Sequence, residues 1–178
     1  MMKSLVKYAL NQLDKKGRKL IIKDRDDVEE YLERYYLVWP DSVKRERKDI
    51  PFNTFLHRFL RSDDPVFHNH PWFWYHSIIL KGGYWEHTPW GTHWRGPGHS
   101  RFVRGGKWVS YLNGMPDKIT VPQDLHWVEV PNPGETWTLF TRGKTHNMDW
   151  GFVPDPKTGI WYQHDVYLDM MRKNNELG

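Results

Sequence analysis

The residues best suited to chemistry in this 178-residue chain are histidines. Two of them stand in the string Phe67-His68-Asn69-His70-Pro71-Trp72. On a strand, side chains two apart leave from the same face, so both imidazoles can reach one point. His126 heads the alternation His126, Val128, Val130, which puts it on the apolar, inward face of its own segment. A single inward histidine is ordinarily a core residue, and one H-x-H pair among 10 histidines can arise by coincidence. Three inward imidazoles from two distant stretches form a metal-ligand set. The chain has no cysteine, so thiolate sites and disulfides are excluded and any ion must sit on His, Asp or Glu. Neutral imidazole suits a divalent metal such as Fe, Mn, Ni, Cu or Zn without choosing among them.

A fourth ligand is open. His76 continues the even parity of His68 and His70, although Pro71 can shift it. Glu86 follows Gly82-Gly83, a hairpin signal; a two-residue turn there pairs Ile79 with Glu86 and sends His76 and Glu86 to opposite faces. At most one completes the shell, and a three-histidine site without a carboxylate is the other possibility. His57 and Tyr84 are the candidate acid–base residues. One of His57 and Arg58 enters the pocket or both face solvent, and Arg101 and Arg104 either offer a planar donor for an anion or simply face water. Trp72, Trp74, Trp85, Trp90 and Trp94 surround the first histidine pair, as wall packing or as a stacking surface. His87, His93 and His99 fall in a Gly/Pro/Trp-rich loop where barrel mouths often bind ligands.

These residues need a scaffold. Aromatics make up 16% of the chain, a bias toward strands and walled pockets. From about residue 52 onward, apolar runs of four to eight residues alternate with turn signals, the pattern of an antiparallel sandwich or barrel. Gly105-Gly106 reads as a second hairpin. Ahead of this region, Leu5, Tyr8, Ala9 and Leu13 have helical spacing over 2–14, and Val28, Tyr31, Leu32 and Tyr35 repeat it over 25–38, opened by Asp26 and Asp27 and closed by Pro40. Residues 1–48 are thus expected to form an N-terminal helical cap, and 49–178 the barrel with a short C-terminal helix from His164. The net charge of +4 is scattered, and the densest run, Lys44 to Lys48, contains a glutamate, so nucleic acid is not an expected partner. No apolar run spans a bilayer and no secretion signal is evident, which points to the cytoplasm. Exposed strand edges make a homodimer an open expectation.

The motifs resemble those of the cupin superfamily. His68 and His70 match its first histidine pair, Gly83 the closing glycine of that motif, and His126, after Pro122-Gln123-Asp124, the single histidine of its second motif. More narrowly, LHRFLRSDDP, HNHPW, KGGYWEHTP and WTLFTRG look like a group of small cupins from bacteria and their phages. The resemblance covers roughly residues 52–153. It implies a mainly β double-stranded β-helix, a jelly-roll barrel, holding one divalent metal with a small molecule in the barrel. The activities implied are dioxygenation or isomerisation. The alternatives are a non-catalytic module for a sugar or nucleotide-like ligand and a metal-free sugar epimerase. The chain departs from the family pattern in lacking the opening glycine, in having His76 near the expected glutamate, and in having Asp124 where glycine is usual.

Overall fold

The computed structural model describes residues 2–24, 28–41, 50–111, 119–146 and 150–176. The run Lys44 to Lys48 and the pair Asp26-Asp27 lie outside them. Strands are numbered in chain order. β1 (Lys19–Lys23), β2 (Glu30–Tyr36) and β3 (Phe52–Phe59) are followed by β4 (Phe67–His68), β5 (Trp74–Lys81), β6 (Tyr84–Thr88) and β7 (Gly91–Arg95). Then come β8 (Ser100–Arg104), β9 (Trp108–Tyr111), β10 (Ile119–Pro122) and β11 (Trp127–Glu129). β12 (Thr136–Gly143), β13 (Gly151–Val153) and β14 (Tyr162–Gln163) complete the strands, with helices α1 (Met2–Lys15) and α2 (His164–Glu176) at the two ends.

One layer is a six-stranded antiparallel sheet in the order β1-β2-β3-β12-β5-β8. The facing layer has β11-β6-β7 and β14-β13-β4, joined where His68 pairs with His126. If β3 to β8, β11 and β12 are counted one to eight, the layers read 1-8-3-6 and 2-7-4-5. That order is the eight-stranded jelly roll, in which neither layer is made of consecutive strands and the chain crosses between layers repeatedly. The expected mainly β barrel is therefore the observed fold.

Alternation dictates which side chains enter. Along β3, Asn53, Phe55, His57 and Phe59 are buried while the residues between them are half-buried. Register carries the inward row across the sheet: Leu32, Arg34 and Tyr36 of β2 sit opposite Phe59, His57 and Phe55, and Thr136, Thr138 and Phe140 of β12 oppose the same three from the other side. Leu32, Phe59, Ile79, Tyr84, Val128 and Val130 form the core between the layers. Fully burying aliphatic or aromatic side chains of this kind contributes about 1.5–3 kcal/mol each.

Four expectations are corrected. Residues 30–36, read as part of a helix, form β2, because Tyr31, Tyr35 and Tyr36 favour a pleated surface and β3 offers a complete row of partners. The N-terminal segment therefore contributes one helix and two sheet strands in place of a two-helix cap. α1 forms as expected, yet Leu5 and Tyr8 of its stripe remain exposed. Gly82-Gly83 does not close a hairpin. β5 pairs with β12 and β8 while β6 pairs with β11 and β7, so the glycines carry the chain from one layer to the other. Gly82 has φ +71°, and a Cβ there would lie 2.8 Å from Thr136 Oγ1, which donates to the Gly83 carbonyl. Gly105-Gly106 likewise links sheets, since β8 pairs with β5 and β9 with β10. The region holding His87 and His93 is the hairpin β6–β7, not an open loop.

The strand bearing the first histidine pair is short and is held by Asn69. Its side chain is buried, and Oδ1 accepts from Gly151 N at 2.8 Å and from Trp161 Nε1 at 3.0 Å. Asn69→Ala removes this shared acceptor and leaves two donors unsatisfied, at about 1–3 kcal/mol each. Urea unfolding is expected to show a loss of about 2–4 kcal/mol; a loss below about 0.5 kcal/mol would refute this role.

Candidate metal centre

The extended β4–Pro71 segment and the start of β11 place the histidines. His68 and His126 are antiparallel partners whose backbone groups exchange both hydrogen bonds at 3.0 Å. His70 is fixed one step further on by Asp124, whose Oδ2 accepts from His70 N at 3.0 Å. The ring nitrogens of His68, His70 and His126 all lie within 4.8 Å of one another. His70 Nε2 and His126 Nε2 are 3.1 Å apart. Two atoms bound to one ion at about 2.1 Å stand about 3.0–3.4 Å apart in octahedral or tetrahedral geometry, so this separation suits a shared metal.

The neighbours set the tautomers. His126 Nδ1 lies 3.1 Å from Glu86 Oε1. An ionised carboxylate only accepts, so the proton is on Nδ1 and the Nε2 lone pair faces His68 and His70. Glu86 itself is 2% exposed and accepts from Arg95 Nε at 2.8 Å and from Arg101. A carboxylate held by two guanidiniums and a histidine stands behind a candidate metal ligand, an arrangement that would orient the ring and raise its basicity. Glu86, the expected alternative ligand, thus reaches the centre through His126.

His76 does not reach it. The chain turns at Pro71–Phe73 and Phe73 faces out, so β5 sends Tyr75, Ser77 and Ile79 inward and His76 outward. His76 Nε2 is 2.7 Å from Ser100 Oγ, next to Phe102 on the outer face of the sheet. The even parity that recommended His76 is lost at the proline. Among the described residues, the candidate metal group is three imidazoles, His68, His70 and His126.

The centre opens into a cavity of about 150 Å³ between the layers. His57 and Tyr84 both line it, and Trp72 stacks on His70 with ring centroids 4.9 Å apart. Of the paired alternatives, His57 and Arg101 enter, whereas Arg58 lies over Trp137 outside and Arg104 is exposed. His87 packs flat on Trp127 and bonds Glu129, away from the cavity. Trp74, Trp85, Trp90 and Trp94 lie outside the cavity wall.

Burial governs the electrostatics. It lowers His126 to about 4, with the Arg101 charge adding to the effect. His70 is pushed well below the usual histidine range by burial and then by His126 and His68. His57 is lowered by burial and by Arg34, whose Nε donates to His57 Nε2 at 3.0 Å. That bond consumes the Nε2 lone pair and leaves the His57 proton on Nδ1. Tyr31, Tyr75 and Tyr84 are raised by burial and stay protonated. His70 and His126 are thus held neutral, the form that binds metal.

Several cavity residues escaped the sequence reading. Arg34 and Tyr31 were hidden in the supposed helix; the run of aromatic residues around them was the available signal. Tyr31 hydrogen-bonds Asp63, whose Oδ2 also accepts from Val128 N at 2.8 Å. Tyr75 contacts His126 Nδ1 at 3.5 Å. Nothing in local sequence marks Asp63 or Tyr75.

No protein-family model matches the chain, and no curated protein matches it. Among solved structures it is similar to a protein of unknown function with a cupin-like fold from Ralstonia eutropha, with 12% identity over 89% of this chain and 82% of that one, at a TM-score of 0.46. A sugar phosphate isomerase of the cupin superfamily from Silicibacter pomeroyi is 14% identical over 83% and 86%, at 0.45. KdgF from a Halomonas species is 12% identical over 68% and 87%, at 0.42. Cupin-like folds are thus among its structural neighbours.

The lowered histidines fix a pH dependence. A folded-state value below the unfolded one means that the unfolded chain binds protons first as pH falls. Stability of metal-free protein is expected to be full above about pH 6.5 and to fall toward pH 4, with about 2 kcal/mol lost by pH 5 from His126 alone. Urea titrations at pH 7 and pH 5 check this; equal stability at both would contradict it.

Proposed function

We propose that His68, His70 and His126 hold one divalent metal and that the chain is a metal-dependent enzyme acting on a small molecule in the jelly-roll cavity. The observation that supports this most is the Glu86–His126 contact, which aims a neutral ring's lone pair at two other imidazoles within 4.8 Å. The donor set fits iron, manganese, nickel or zinc. When bound, such a metal polarises a substrate oxygen or, if it is redox-active, supports oxidation.

The chain's own residues favour proton-transfer chemistry of the isomerase type. Tyr84, held protonated by burial and hydrogen-bonded to Ser77, is placed to donate a proton to a substrate oxygen. Tyr31 with Asp63 supplies a hydroxyl–carboxylate pair that also lines the cavity. His57, its Nε2 already accepting from Arg34, serves as a neutral hydrogen-bond donor and not as a base. The all-imidazole shell supports the dioxygenase reading instead, and oxygen uptake by iron-loaded protein with candidate substrates separates the two. A metal-free epimerase or a non-catalytic binding module is the outcome if no metal binds.

Calorimetric titration with zinc or cobalt(II) is expected to give one site per chain, lost in His68→Ala, His70→Ala and His126→Ala. His76→Ala is expected to retain affinity within about twofold, while Glu86→Gln weakens it about 10–100-fold. Full-strength binding after removal of any one of the three histidines would sink the proposal.

A further inference from the structure

A second cavity adjoins the one at the three histidines. It measures about 550 Å³ and lies between α2, the end of β1 and residues 61–64. Tyr31, Asp63 and His68 line both cavities, and His68 is the candidate metal ligand common to the two. The two are therefore an inner and an outer chamber that meet at the candidate metal centre. The inner one is small. About 150 Å³ accommodates a molecule the size of benzene, about six heavy atoms. A larger ligand with one end at the histidines extends into the outer chamber.

The outer chamber has two unlike walls. One is aromatic and apolar. His164, Leu168 and Arg172 leave α2 at a spacing of four, so they share a face of the helix, and that face borders the chamber. Tyr167 anchors the helix: it is buried, with its ring centroid 4.7 Å from that of Phe152. The Trp150 ring centroid lies 4.0 Å from that of His164 and 5.6 Å from that of Phe152, and the Trp150 carbonyl accepts from His164 N at 3.0 Å. An indole fixed by its backbone and by its neighbours loses little freedom when a ligand packs on it. The other wall is ionic and paired within itself. Arg61 meets Asp24 at 2.6 Å, Glu29 at 2.8 Å and Asp64 at 3.3 Å. Asp24 also accepts from Val28 N, and Asp63 accepts from Val128 N and Tyr31. Charged groups committed to one another offer a ligand little, whereas a fixed indole beside a leucine favours a flat apolar group.

We propose that the substrate is a two-part molecule: a small oxygen-bearing head in the inner chamber beside the three histidines, joined to an uncharged aromatic ring in the outer chamber against Trp150 and Leu168. This deepens the metal-enzyme reading and rests on it. Trp150 and Leu168 then set specificity for the distal ring, while the head faces the candidate metal ligands and the Tyr84 hydroxyl.

The test uses the whole chain, titrated calorimetrically with zinc and then, zinc-loaded, with hydroxamates. Acetohydroxamate presents the head alone. Phenyl homologues with none to three methylenes between ring and head reach for the outer chamber, and gluconohydroxamate carries a polyol tail in place of the ring. At least one phenyl homologue is expected to bind about 10–100-fold more tightly than acetohydroxamate or gluconohydroxamate. Leu168→Glu, which sets a charge in the outer chamber, and Trp150→Ala are each expected to erase that gain and to leave acetohydroxamate within about twofold. Val166→Glu, at an exposed position of α2 that does not line the chamber, is expected to keep the gain. Zinc-free protein is titrated with 3-phenylpropanamide. The indole N–H resonance of Trp150, assigned as the one missing from Trp150→Phe, is expected to shift in the unsubstituted chain and not in Leu168→Glu. Equal binding of acetohydroxamate and every phenyl homologue, tighter binding of gluconohydroxamate, or a gain that survives Leu168→Glu would each overturn the proposal. Absence of zinc binding with the Trp150 shift intact would refute the metal reading alone, and zinc binding without a phenyl gain would refute this proposal alone.

Discussion

One antiparallel contact, His68 against His126, supports both the fold and the site. It joins β4 to β11 and so makes a continuous second layer out of two three-stranded pieces. The same pairing brings together two imidazoles that are 58 positions apart in the sequence. Directly opposed residues on antiparallel strands have close side chains, so the backbone ladder does most of the positioning before any side-chain contact is made. His70 is added by a single hydrogen bond, from its backbone amide to Asp124. The candidate ligand set is thus a property of strand register, and a one-residue slip of the segment around β4 would send His68 and His70 to the other face.

Around that contact, charge is arranged so that His70 and His126 remain neutral. Burial alone disfavours imidazolium, and Arg101 reinforces the effect at His126. Glu86 would oppose it by stabilising a protonated His126, but two guanidiniums already occupy that carboxylate. What Glu86 retains is direction: it accepts the Nδ1 proton and leaves Nε2 available. The same division holds on the opposite wall, where Arg34 keeps His57 neutral while fixing which nitrogen carries its proton.

The barrel and the convergence of His68, His70 and His126 were legible in the sequence because period-two patterning survives in short strings. His68-Asn69-His70 and His126-Trp127-Val128-Glu129-Val130 each state their own facing. Parity did not survive Pro71, where the turn through Phe73 inserts a phase change, and so His76 was misplaced. Local reading also could not tell a hairpin from a crossover at Gly82-Gly83. Both need glycine at positive φ, and only long-range pairing with β12 and β11 distinguishes them. The segment 25–38 failed for a different reason. Its apolar residues fit a helical stripe, but their aromatic side chains stack on the sheet, as Tyr35 does on Trp137, and tertiary pairing overrides the local period. Arg34 and Tyr31 were lost to the site with it.

Three imidazoles, and no carboxylate, are proposed to bind the metal. X-ray absorption at the zinc edge of the zinc-loaded chain reads this directly. Three imidazole nitrogens at about 2.0–2.1 Å, with the same spectrum in Glu86→Gln and His76→Ala, is the predicted result. A shell with two or fewer imidazoles, or one that loses a protein oxygen on Glu86→Gln, would contradict it.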